Sequence, residues 1–137
     1  MRPVFPVLAA AALCSCHKQT VTPPVAQGQI VAVESTRLIT VPNSAPVRWR
    51  WMVELAPPLR LPGQPNGSVA AFSRVKTFSL AVADTAIFRH GTRVSFAYQV
   101  LPWRPPQWYS TVEALSMAPV PPNFELPEVT LSNVQAL

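Results

Sequence analysis

The spacing of proline is the strongest constraint on how this chain can fold. Proline fixes φ and has no N–H to donate, so the interior of a helix or of a central strand excludes it. The sequence carries 17 prolines against four glycines, and no proline lies between Asn66 and Leu101. Central strands are therefore expected inside that window, with stiff loops outside it. A proline-rich chain poor in apolar residues would stay disordered. Here 49% of the residues are apolar, so a folded core is expected.

The apolar residues also have a period. Residues 48–55 (RWRWMVEL) alternate strictly, with Trp49, Trp51, Val53 and Leu55 on one parity and Arg48, Arg50, Met52 and Glu54 on the other. Period two over eight residues predicts a half-buried antiparallel strand with the tryptophans inward. A helix would separate them, because residues two apart do not share a helix face. Residues 92–101 (TRVSFAYQVL) alternate likewise, placing Val94, Phe96, Tyr98 and Val100 inward and Arg93, Ser95, Ala97 and Gln99 outward. Residues 75–83 (VKTFSLAVA) predict a strand with Phe78, Leu80 and Val82 inward. Residues 28–34 (GQIVAVE) predict a first strand, continued by 37–41 (RLITV) past a bend at Ser35-Thr36.

Between these lie turn signals. Residues 42–46 and 56–67 read as loops, the second ending in the tight-turn pair Asn66-Gly67. Asp84 is suited to cap a helical turn over 86–88 that Gly91 would end. Residues 102–109 form a stiff aromatic loop, and 119–127 a second proline loop. Residues 110–118 (STVEALSMA) favour a strand from their β-branched start, and 129–137 read as a last edge strand or a loose tail. No internal repeat is present. The expectation is an all-β domain, a small five- or six-stranded antiparallel barrel or a sandwich.

The first residues carry an address. Met1-Arg2 supplies one positive charge, and residues 4–13 are apolar apart from Pro6. Ten residues are too few to span a bilayer, which takes about 20. They suit the apolar segment of a secretory signal. At its end, Leu13-Cys14-Ser15-Cys16 resembles the bacterial lipoprotein box: an aliphatic residue, a tolerant position, a small residue, then cysteine. A cut before Cys14 would put Leu13 where a small residue belongs. By this resemblance Cys16 is the lipidated first residue of the mature chain. Each buried methylene contributes about 0.8 kcal/mol, so two or more acyl chains anchor firmly where one would not. The competing view, a metal or redox Cys-x-Cys pair, lacks partners, since the chain has two cysteines and two histidines in all. His17 stands where aspartate would signal inner-membrane retention in enteric bacteria, which points to the outer membrane. The resulting division is a signal peptide over 1–15, a lipidated cysteine and flexible tether over 16–27, and one β-domain over 28–137.

Charge and cysteine content narrow the function classes. The net charge of +5 is moderate and scattered, without the patch or stripe that nucleic-acid binders gather. It licenses no more than weak attraction to anionic envelope polymers or headgroups. With Cys14 removed and Cys16 acylated, no disulfide remains, so the domain stands on burial alone.

The order of strands, with the tryptophan strand carrying Trp51-Met52-Val53 and a later strand Gly91-Thr92-Arg93-Val94-Ser95-Phe96-Ala97-Tyr98, resembles a group of small envelope lipoproteins common in Bacteroidetes. That resemblance implies an OB-like barrel and an envelope address. The chain departs from it in its extra prolines and in His90, which stands where the group has aspartate. The group has no general activity to transfer.

No catalytic constellation is visible. His90 is the one histidine inside the domain, and Glu34, Glu54, Asp84, Glu113, Glu125 and Glu128 are dispersed without metal-ligand spacing. No Gly-x-Ser-x-Gly elbow and no phosphate loop occur. The chain therefore reads as a non-enzyme with no cofactor and no metal, held to the membrane by lipid and partnered by an envelope protein or a glycan. The most site-like stretch is the aromatic loop, whose Trp103, Arg104, Trp108 and Tyr109 suit a sugar or peptide. The competing use of Trp103 and Trp108 is to fold back and close one end of the barrel. Arg48 and Arg50 form a second candidate for an anionic partner, against the plainer expectation of a solvated outer face.

Overall fold

The computed structural model describes residues 22–38, 47–79, 89–119 and 122–137. The lipobox with Cys16, the tether up to residue 21, the expected loop at 42–46, Leu80, Val82 and the helical turn expected after Asp84 lie outside the described residues. Among the described residues no helix is long and apolar enough to cross a membrane.

Strand β1 (Val25–Leu38) is shared among three partners. Its start pairs with β4 (Arg93–Val100), its middle with β2 (Arg48–Pro62) and its end with β5 (Trp108–Ser110), all antiparallel. Gly28 lies where two of these ladders overlap, opposite Leu55 on one side and Val94 on the other. A Cβ there would sit 2.5 Å from the Glu54 carbonyl oxygen and 2.7 Å from Val53 Cγ1, so the close approach needs glycine. A bulge between Ile30 and Ala32 comes next and adds local bend and twist. β1 begins three residues before the expected domain start, so 25–27 pair in the sheet instead of extending the tether. The bend expected at Ser35-Thr36 gives way to continuous pairing. Thr36 is buried between β2 and β5, and its hydroxyl donates to the Arg48 carbonyl at 2.7 Å.

β2 carries on through the segment expected to be a loop. Pro57 and Pro58 fall within the register shift between Glu54 and Leu59, where the ladder demands no N–H from them. Gly67, at φ 71°, closes the hairpin to β3 (Val69–Ser79) as the Asn66-Gly67 pair predicts, with the Gly63 N–H donating to the Ser68 carbonyl at 2.9 Å.

β6 (Glu128–Ala136) lies between β3 and β4, parallel to the first and antiparallel to the second. The pairings thus run β1–β2–β3–β6–β4 and back to β1. The all-β expectation holds, with six strands in one sheet, five of them in a ring of pairings and β5 attached to β1 outside it, where a sandwich would need two sheets. The expectation of a purely antiparallel sheet is corrected by the parallel β3–β6 pair. The reading of 129–137 as an edge or tail is corrected as well, since Val129 and Leu131 are buried in an internal strand. Residues 110–118 are not a strand: after Ser110 comes one turn of helix, α1 (Thr111–Ala114). The reason is local. Ser110 and Glu113 form a reciprocal capping box, which satisfies two backbone donors at once.

The core joins Ile30, Trp51, Val53, Leu55, Val75, Val94, Phe96 and Val129. Trp51, Val53, Leu55, Val94 and Phe96 face inward as the alternation predicts, and Tyr98 and Val100 pack half-buried against them. Five residues depart, among them Ala97, which is expected outward on β4 and is buried. Trp49 is 45% exposed, beyond the last β2–β3 pair, Trp51↔Thr77. Arg50 and Met52, expected outside, are buried. Phe78, expected inward, has the parity opposite to the core residue Val75. Arg50, Met52 and Phe78 share a cause: over this stretch β2 and β3 are covered on both faces, one by the core and the other by the connection from β4 to β6. Strict in-out alternation requires one wet face, and these strands have none over that stretch.

Candidate functional site

The covered face of β2 and β3 carries Arg48, Arg50, Lys76 and Phe78. Over it run the aromatic loop, β5, α1 and the turn at 122–126. Three contacts from this connection hold it down.

The first is an ion triad. Arg50, 2% exposed, donates from Nε at 3.1 Å and Nη2 at 2.5 Å to Glu34 Oε2. Its Nη2 also lies 2.9 Å from Glu113 Oε1. The other oxygen of Glu113 accepts from the Ser110 N–H at 3.0 Å. One carboxylate therefore caps α1 and docks it on β2. The plainer expectation of a solvated Arg50 is overturned, because two carboxylates far from it in sequence neutralise it on folding. Sequence spacing hides this convergence, although the S-x-x-E capping box in 110–113 was readable.

The second contact is Lys76, 5% exposed. Its Nζ donates to the backbone carbonyls of Asn123 at 3.2 Å and Phe124 at 3.0 Å, with the Phe124 ring centroid 5.9 Å away. Burial lowers its pKa from 10.5 to about 8 and the Arg50 charge adds to this, while Glu128 and Glu113 pull the other way. The third is Arg48, exposed but held by rings: its guanidinium carbon is 4.5 Å from the Phe78 centroid and 5.6 Å from that of Trp108. Both distances are within cation–π range.

Between the loop and the strands these groups leave a groove of about 530 Å³. Arg48, Lys76, Phe78, Arg104, Trp108 and Glu128 line it, with Gln64, Gln107 and three prolines of the loop. The volume falls within the usual range for small-ligand clefts, roughly 300–1,000 Å³. Of the loop residues singled out from sequence, Arg104 and Trp108 line the groove. Trp103 does not; it is 44% exposed. Tyr109 braces the loop, its hydroxyl donating to the Pro106 carbonyl at 3.0 Å and its ring lying 5.5 Å from that of Phe124. Arg48 joins the groove and Arg50 does not. Lys76 and Phe78 were missed as site residues. Their signal is faint: a lysine on the parity of an apolar strand face.

His90 sits exposed in the turn before β4. Among the described residues no group of histidine, cysteine, aspartate and glutamate is placed to hold a metal ion. The groove offers cations, amides and two rings, a binding inventory. Compared with known proteins, the chain matches no family model, no curated protein and no solved structure.

Proposed function

We propose that this chain is a non-enzymatic lipoprotein of the bacterial envelope, anchored in the outer membrane through acylated Cys16, whose β-domain serves as a binding or accessory subunit. Its partner is a glycan or peptide seated in the groove under the aromatic loop, or an envelope protein carrying one. The observation behind the binding reading is that groove, walled by Arg104 and Trp108 and floored by β2 and β3. An OB-like reading of the strand ring supports it, since OB-folds bind oligosaccharides and oligonucleotides across the β2–β3 face and neighbouring loops. The lipid anchor rests on the order of charge, apolar run and lipobox in residues 1–16.

Two measurements on the full chain in a bacterial host test the two halves. Labelled fatty acid should enter the protein, disappear in Cys16→Ser and persist in Cys14→Ser; the reverse pattern would overturn the anchor. Purified in mild detergent, the chain should retain a glycan or peptide from envelope fractions, and Trp108→Ala should release it while keeping the melting profile. Equal retention by Trp108→Ala would remove the groove from the proposal.

A further inference from the structure

We infer that the groove selects an acidic saccharide, with Arg48, Arg104 and Lys76 receiving its carboxylate groups. The inference rests on the binding reading above and specifies its ligand.

The charges in the groove do not balance. Among the described residues three cations line it against one carboxylate, Glu128. Among the described residues the ion pairs are Arg50–Glu34, Arg50–Glu113 and Arg74–Glu54, so no described carboxylate neutralises any of the three groove cations by direct contact. Two of them, Arg48 and Lys76, are nevertheless held in place. The rings of Phe78 and Trp108 hold the Arg48 guanidinium. Because they carry that cation, their offer to a ligand is an oriented guanidinium more than a bare stacking platform. A guanidinium suits two-pronged recognition of a carboxylate. In the floor, the Lys76 ammonium spends two donors on the carbonyls of Asn123 and Phe124. An ammonium has three, which leaves one hydrogen for a ligand.

The neutral lining points to a sugar. Gln64 and Gln107 supply amides that both donate and accept, the pairing that hydroxyls need. The prolines hold the wall without an ordering cost on binding. An acidic peptide shares the charge but not the dense hydroxyls, and so serves as the contrasting arm of the test.

The test titrates the detergent-solubilised full chain with polygalacturonate, alginate and hyaluronate, each beside its methyl ester, and with polyglutamate. The ester keeps the sugar and removes the charge. At least one acidic polymer should bind ten-fold or more tighter than its ester. Arg48→Gln and Arg104→Gln should each weaken that binding three- to ten-fold and leave the ester unchanged. Arg74→Gln, which removes the same charge away from the groove, should leave binding as it was. If an ester binds as well as its acid, the groove reads sugar without charge; this inference then fails while the binding reading stands. Preference for polyglutamate transfers the site to acidic peptides and overturns the saccharide. If no polymer binds, and envelope fractions also leave nothing on the groove, both readings fall together.

Discussion

Arg50 and Lys76 are two buried cations on one face of the β2–β3 ladder, and the fold treats them in opposite ways. Arg50 is met by two carboxylates. Lys76 is met by two backbone carbonyls and has no carboxylate in contact among the described residues. Removing a charge from water is costly unless the interior gives back both pairing and hydrogen bonds. Arg50 receives both, so its charge is consumed in docking α1 and β5 onto β2. Lys76 receives hydrogen bonds and only distant opposite charge, so part of its electrostatic demand stays open toward the groove. A fully answered buried charge holds the loop in place; a partly answered one is available to a ligand.

The widest gap between the two appears when each is replaced by a residue of similar length. Arg50→Met should destabilise the chain by about 3–5 kcal/mol, the usual cost of leaving a buried partner charge unmatched. Glu113 is the residue stranded, since it is buried and one of its oxygens has the arginine as its polar contact. The urea midpoint should fall at constant m value. The triple variant Arg50→Met with Glu34→Gln and Glu113→Gln should regain part of that loss, because no charge is then left alone. A loss below about 1 kcal/mol in Arg50→Met would make the triad a surface pair in effect and erase the contrast with Lys76.

This triad also marks where reading by sequence stops. The strand carrying Trp51, Val53 and Leu55 was legible because apolar period two needs only neighbours along the chain. Arg50 broke the same pattern because its partners arrive from β1 and α1, and nothing local announces them. β6 was misjudged for a related reason: a strand's place in the sheet depends on which strands reach it first. The prolines mapped β3 and β4 correctly but hid the second half of β2, where a bulge made room for Pro57 and Pro58. Of the groove, Arg104, Trp108 and Arg48 were legible as an aromatic and basic pattern. Lys76 and Phe78 were not, because they line a binding face only once the 101–127 connection covers β3. The capping box of Ser110 and Glu113 is written in the sequence, but the strand expected over 110–118 rests on the β-branched start and takes no account of it.

Lys76 should show itself in the pH dependence of stability. Its pKa is about 8 in the folded chain against 10.5 unfolded. Below pH 8 both states hold the proton, and the cost of burying the charge is present in full. Between about 8 and 10.5 the unfolded state binds a proton that the folded state has released, so raising the pH favours folding. Above that window both forms are neutral and the slope vanishes. The gain across the window should reach about 3 kcal/mol at 1.36 kcal/mol per unit. Subtracting the curve of Lys76→Met isolates it from the tyrosines and the other bases. A flat difference curve would mean that the ammonium is solvated as well as any surface lysine.

Removing a cap tests the Arg50 side of the comparison more gently. Ser110→Ala takes away the oxygen that accepts from the Glu113 N–H and leaves Glu113 free to contact Arg50. The expected cost is about 1 kcal/mol, the usual value for a lost N-cap, read from the urea midpoint. A larger loss would show that Glu113 needs its cap to stay on Arg50 and that the triad and α1 stand or fall together.

The smallest effect belongs to a third cation, Arg74, which separates contact from consequence. It pairs with Glu54 across the ladder at 3.6 Å, with both side chains about half exposed. Water already solvates both charges, so the pair gives back little that folding took away. Arg74→Ala should cost no more than about 0.5 kcal/mol, and raising the salt should shrink even that, since exposed charges are screened. Arg50 and Arg74 lie on the same strand ladder and each touches glutamate, yet their expected costs differ several-fold. If Arg74→Ala matched Arg50→Met, the number of ion contacts would govern stability here. A near-neutral result instead assigns the difference to burial, the property that Arg50 shares with Lys76.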